Sequence, residues 1–214
     1  VFALCCALFA LVTWQVAADG PLRVADERLG RAVFRHVPDA VTEPLADLGN
    51  MTVAPLVLAV ALAWSLWRGR RDTGRTPWRP AASAVLALLA VPALVAPLKA
   101  LIARPGPLEP GTGWYPSGHT ATAMVAYLCA ALLLTPYLRR RWAMPVAVVL
   151  TVATGIGLVL RGYHWPLDVL GSWCLFGAVL LLPAVVRGLP VEPLYRAGVS
   201  ARRRRRSSGR TPSR

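Results

Sequence analysis

Along the chain, apolar residues gather in six long blocks, residues 1–18, 51–67, 81–102, 120–138, 143–160 and 167–186, separated by shorter polar stretches. Blocks of roughly 17 to 22 residues match the length at which a helix crosses the hydrocarbon core of a bilayer. Lipid offers no partner for backbone amides, so each block is read as a helix that satisfies its own. Pro92 and Pro97 fall in the third block, where a membrane helix is kinked but not forbidden. Residues 19–50 differ, because charges are mixed with Leu29, Val33, Phe34, Val37 and Leu45. That pattern predicts an amphipathic helix lying at the outer interface after the first span. The expected architecture is an all-α integral membrane bundle of six transmembrane helices over residues 1–186, followed by a disordered, Arg-rich cytoplasmic tail over residues 187–214.

Composition narrows the class. Apolar residues make up 56% of the 214 and charged ones 16%. A soluble domain carries about 25% charged residues. Collagen, disordered chains and disulfide scaffolds are excluded as well. Cys5, Cys6, Cys129 and Cys174 lie inside apolar blocks without metal-ligand spacing, which predicts neither a disulfide nor a zinc site. Basic residues outnumber acidic ones by 24 to 10, and Lys99 is the sole lysine. With the amino terminus in the cytoplasm, 17 of the 24 fall on the cytoplasmic side, in residues 68–80, 139–141 and 187–214. The positive-inside rule thus places both termini in the cytoplasm. The first block has no basic residue ahead of its apolar run, so it is read as a span and not as a secretory signal. The run Arg202 to Arg206 follows a span closely, and its expected partner is anionic lipid, with no nucleic acid. Arginine almost to the exclusion of lysine suits a GC-rich genome, hence a bacterial inner membrane.

The polar residues that are not membrane anchors collect in two outer connections. The first runs from Lys99 through Arg104-Pro105-Gly106-Pro107 to Tyr115-Pro116-Ser117-Gly118-His119-Thr120, and the second is Arg161-Gly162-Tyr163-His164-Trp165-Pro166-Leu167-Asp168. Ionisable groups at the edge of a bilayer core are expensive and usually functional. Pro116-Ser117-Gly118-His119 stands just ahead of an apolar helix, where free amides and the positive end of the dipole favour an anion. Ser117 can cap that helix, and Gly118 allows a ligand close to the backbone. His164 and Asp168 are four residues apart, with Pro166 at a position that the first helical turn accepts. On a shared face the carboxylate accepts the Nδ1 proton and leaves Nε2 free and basic, which prepares a nucleophile. The acidic residues form no cluster able to hold a metal, so these parts fit a metal-independent phosphoryl transfer in which one histidine attacks and the other protonates the leaving oxygen.

These motifs, in this order, resemble the type 2 phosphatidic acid phosphatase family, whose fold is shared with vanadium haloperoxidases and glucose-6-phosphatase. The resemblance covers residues 51–186 and rests on a Lys followed by Arg-Pro, then Pro-Ser-Gly-His in full, then His-x-x-x-Asp. It implies that His164 is the nucleophile forming a phosphohistidine, Asp168 its orienting carboxylate and His119 the general acid. It further implies that Lys99, Ser117 and the Gly118 amide hold the phosphate. Both arginines are displaced from the family pattern. Arg-Pro stands two residues early, at Arg104, and the arginine expected six residues before the histidine is Leu158, with Arg161 three residues later. A shift of three on a helix stays near the same face, so Arg161 is carried as a phosphate ligand together with Arg104.

The implied activity is hydrolysis of a lipid phosphate or pyrophosphate at the outer membrane face, without cofactor. Phosphatidic acid, diacylglycerol pyrophosphate, phosphatidylglycerol phosphate and undecaprenyl pyrophosphate all fit, since apolar walls discriminate weakly among tails. The alternative from another class is a non-catalytic lipid-phosphate binding or transport protein of the same fold, motivated by the displaced arginines.

Overall fold

A computed structural model describes residues 1–34, 36–74, 77–108, 111–138 and 142–186. The Arg-rich tail expected over residues 187–214 lies outside the described residues, as does the basic cluster at 139–141. Among the described residues there are eight helices and no strand: α1 (Phe2–Ala17), α2 (Pro21–Val33), α3 (Asp39–Asp47), α4 (Val53–Thr73), α5 (Trp78–Ile102), α6 (Gly118–Leu134), α7 (Ala143–Leu160) and α8 (Pro166–Val186).

Each apolar block corresponds to one helix, namely α1 and α4 to α8. Three boundaries differ from expectation, each for a local reason. Residues 19–50 form two helices, α2 and α3, with Pro38 at the cap position between them. The helix of the second block runs on to Thr73 and stops where Gly74 takes φ +65°, a left-handed cap that suits glycine. The helix of the fourth block ends at Leu134, two residues ahead of Pro136, which has no backbone N–H to continue the helical ladder. Pro92 and Pro97 are both accommodated within a continuous α5.

Length and apolarity single out fewer spans than the six expected. Helices α5, α7 and residues 166–183 of α8 are long and apolar enough to cross a membrane, and α1 with α2, bent by 82°, make a fourth if the pair is one span. Helices α1 and α6 have 16 and 17 residues, below the ~20 of an upright span. Arg68, Arg70 and Arg71 dilute the end of α4.

Helix α6 is the hub. It packs against α4, α5, α7 and α8. Ala121, Ala123, Ala126, Ala130 and Ala131 are buried on it, so its neighbours approach closely on several sides. Small residues at helix contacts are how membrane helices gain packing contact when lipid removes the hydrophobic drive. Buried threonine hydroxyls return to their own helices: Thr122 Oγ1 donates to Gly118 O (2.9 Å), Thr151 to Ala147 O (2.8 Å) and Thr154 to Leu150 O (2.9 Å). Each of these three hydroxyls is thereby satisfied within its own helix. The Tyr127 hydroxyl donates to Leu48 O at 2.5 Å, pinning α6 to the turn after α3.

Helix α2 turns the usual amphipathic arrangement around. Leu22, Val24 and Leu29 are exposed, whereas Asp26 and Gly30 face the protein. Helix α3 presses so tightly on α7 that a Cβ at Gly157 would stand 2.6 Å from the Ala46 amide nitrogen. Backbone cannot move aside as a flexible side chain can. Gly157→Ala is therefore expected to destabilise the protein by about 1 to 3 kcal/mol, the usual cost of overpacking, seen as a lower unfolding temperature in detergent.

Candidate active site

The connections from α5 to α6 and from α7 to α8 meet at the N-terminal ends of α6 and α8. Helix α5 ends because Ala103 adopts φ +47°, its amide donating to Lys99 O (3.0 Å). That turn throws Arg104 off the helix axis and into the interior. From there the loop is tied back by the Trp114 amide on Arg104 O (3.1 Å). It enters α6 through a cis Tyr115–Pro116 bond. Burial pushes the Tyr115 phenol up to about 12, so it stays a neutral partner for Thr13 Oγ1 at 2.8 Å.

Ser117 caps α6 as expected, its hydroxyl oxygen accepting from the Thr120 amide (3.2 Å). The backbone of Ser117 is also clamped to α8. Its amide donates to Asp168 O (3.1 Å), and the Ser172 hydroxyl donates to Ser117 O (2.8 Å). The anion-attracting end of α6 is thus fastened to the helix that carries Asp168. A Cβ at Gly118 would meet only Val95 Cγ1, at 3.9 Å. Packing does not require the glycine, and the space where a side chain would stand is open.

His164 and Asp168 do come together, with Nδ1 3.3 Å from Oδ2. The route differs from a shared helical face, because α8 begins only at Pro166. Asp168 occupies the third helical position and reaches back to the Trp165 amide (3.0 Å), as the acidic member of a capping box does. The same oxygen that caps the helix faces the imidazole. His164 and Asp168 are 3% and 0% exposed, and the Trp114 ring packs edge-on to the imidazole at 5.6 Å.

Arg104 is fully enclosed and reaches two carboxylates: Nη1 donates to Asp168 Oδ1 and Nη2 to Asp26 Oδ2, each at 2.6 Å. Burial works against its charge, but Asp168 and Asp26 outweigh that and raise the guanidinium above its ordinary value. Its cation also lies 5.5 Å from the Trp165 ring centre, and that indole donates to Pro105 O (3.0 Å). Arg161 caps α7, bonded to Asp39 at the start of α3 and donating to the Tyr163 hydroxyl (3.0 Å). Leu158, where the family pattern has its arginine, is buried, and its carbonyl accepts from the Tyr163 and His164 amides. Lys99 is partly buried and His119 exposed, and His119 interacts electrostatically with both Lys99 and His164.

The structure therefore joins His164, Asp168, Arg104 and Ser117 by direct contacts, with Lys99 and His119 beside them. Arg161 is turned toward α3. Among the described residues four buried side-chain donors lack partners, Arg104 Nε, Arg161 Nε, Thr120 Oγ1 and Trp173 Nε1. Buried donors of this kind are what an arriving anion would satisfy. Among the described residues no group of three His, Cys, Asp or Glu is placed to hold a metal. Sequence reasoning missed Asp26, Ser172 and Trp114. Asp26 carried one usable signal, its four-residue spacing from Gly30, which places a carboxylate and a glycine on one helical face.

The comparisons identify the family and the fold. The sequence pattern of the PAP2 superfamily matches residues 56–187. The chain belongs to the PAP2 superfamily. A solved structure with the same fold is the transmembrane PAP2-type phosphatidylglycerolphosphate phosphatase from Bacillus subtilis, with a TM-score of 0.69, 22% identity, and coverage of 86% of this chain and 96% of that one. At that identity the likeness establishes the fold. No curated protein sequence matches this chain significantly.

Removing Arg104 strands two buried carboxylates. Arg104→Met is expected to cost about 3 to 5 kcal/mol, as when one member of a buried ion pair is deleted, read as a large drop in unfolding temperature.

Proposed function

We propose that the protein is a metal-independent membrane phosphatase that hydrolyses a lipid phosphate or pyrophosphate through a phosphohistidine on His164. The observation that carries this reading is the contact between His164 Nδ1 and Asp168 Oδ2. With Nδ1–H donating its hydrogen bond to the carboxylate, the proton stays on Nδ1 and Nε2 keeps its lone pair for phosphorus. As the Nε2–P bond forms, the bond from phosphorus to the lipid oxygen breaks and His119 supplies that oxygen with a proton. Water then attacks the phosphohistidine, with His119 taking the proton back, and phosphate leaves. Lys99, the capped start of α6 at Ser117 and the Gly118 amide neutralise the phosphoryl oxygens. Arg104 and Arg161 join this cradle through the Nε donors that their carboxylate partners leave unused. The lipid tail stays in the bilayer beside the site. In this reading α1 and α4 to α8 are the six spans, α2 lies at the outer interface with its apolar side toward lipid, both termini are cytoplasmic, and the basic tail rests on anionic lipid. Phosphatidic acid, diacylglycerol pyrophosphate, phosphatidylglycerol phosphate and undecaprenyl pyrophosphate are the substrates to compare.

A binding or transport role is favoured by one observation, the engagement of both arginines with carboxylates. The deciding measurement is phosphate release from those four lipids in detergent micelles containing EDTA. Turnover is expected to survive the chelator, to vanish in His164→Ala and to fall by about 10²- to 10⁴-fold in His119→Ala. Folded protein that releases phosphate from none of them is the result that favours the binder.

A further inference from the structure

One carboxylate in the interior has no part in the chemistry described so far. Asp26 lies on α2, outside the residues that match the family, and its side chain is 2% exposed. Its two oxygens serve different elements. Oδ2 accepts from Arg104 Nη2 at 2.6 Å, and Oδ1 accepts from the Leu167 amide at 2.8 Å. Leu167 is the second residue of α8, so its amide is among those that helix geometry leaves without a partner. The next residue is Asp168.

We propose that Asp26 is a positioning residue for the reaction at His164, holding Arg104 and the first turn of α8 so that Asp168 is braced without surrendering its charge to the guanidinium. This rests on the phosphatase reading above. A carboxylate gripped by an arginine alone forms a neutral pair and offers an imidazole little. Here Asp26 completes the neutral pair with Arg104, and the negative charge of Asp168 is left for His164. The charged groups around His164 are Asp168 on α8, Lys99 on α5, His119 on α6 and, behind Asp168, Arg104. On α2, Glu27 stands 3.6 Å from Arg104 Nη2, but it is partly exposed and shared with Arg23 (2.9 Å) and Arg31 (3.6 Å). It does not duplicate Asp26.

The test is Asp26→Asn in the full-length protein, which keeps an oxygen for the Leu167 amide, removes the charge and withdraws the acceptor from Arg104 Nη2. Its readouts are NMR titration of the His164 imidazole in detergent and the pH dependence of kcat/KM. The expected result is that His164 takes up its proton at lower pH than in the wild type and that the acidic limb of kcat/KM moves the same way. kcat is expected to fall on the order of tenfold, short of the roughly hundredfold that a 1 Å misplacement costs, with KM within about twofold. The double variant Asp26→Asn/Arg104→Gln exchanges one neutral pair for another, so it should titrate as the wild type does. A lower unfolding temperature with an unmoved His164 titration would mean that Asp26 is only structural, and the proposal falls. If the single variant does not fold, the double one decides: a wild-type titration supports the proposal, and a shift to higher pH, as expected from losing Arg104 alone, overturns it. The NMR titration needs no turnover, so a wild type that releases no phosphate refutes the enzymatic reading while the His164 titration still judges the coupling to Asp26.

Discussion

Burying Asp168 is the constraint around which the site is built. A carboxylate with no exposed surface is unfavourable unless every lone pair finds a donor. Three donors reach it from three places: the guanidinium of Arg104 after α5, the backbone amide of Trp165 and the ring of His164. Each fixes something else in turn. Arg104 requires the turn at Ala103 that takes it off α5. The Trp165 amide requires α8 to begin where it does. The imidazole is left with one nitrogen committed and one free. The second carboxylate at Arg104 completes the arrangement, because a lone cation so deeply enclosed would be as unfavourable as a lone anion.

The scaffold that supports this is a set of close backbone approaches. Small residues on α6 let four helices gather around it, and Gly157 lets α3 press onto α7. Thr122, Thr151 and Thr154 fold their hydroxyls back onto their own helices and so satisfy them within the helix. The clamp from Ser172 and Asp168 to the backbone of Ser117 then fastens the positive end of α6 to α8. Two motifs far apart in sequence become one rigid mouth.

Much of this was legible in the chain. Apolar block length placed all six long helices, although α4 runs six residues past its block, because membrane and buried helices share one demand, an unbroken apolar run. The pairing of His164 with Asp168 followed from a four-residue spacing, although the geometry that delivers it is a cap and not a helical face. The number of spans was harder to read, since α1 and α6 are short for a bilayer and their apolarity does not say so. The arginines could not be placed from spacing at all. Arg104 leaves a helix through a left-handed turn at an alanine, a conformation that no local rule predicts there. Arg161 was expected to stay near the face of Leu158, yet it sits at the helix end, where a salt link with Asp39 was within reach. Asp26 was hidden because α2 carries its charge inward and its leucines outward, the reverse of what an amphipathic pattern suggests for a soluble protein.

The inward face of α2 has a consequence for how kinship should be judged. The stretch that carries the superfamily signature starts at residue 56. The counter-ion that balances its buried arginine is thirty residues upstream. A protein trimmed to the recognisable core would retain every residue by which it is recognised and lose the charge that lets one of them be buried. Swapping such cores between relatives would then fail or succeed according to what the grafted amino-terminal helices carry, and ancestry read from the core alone would not reveal which.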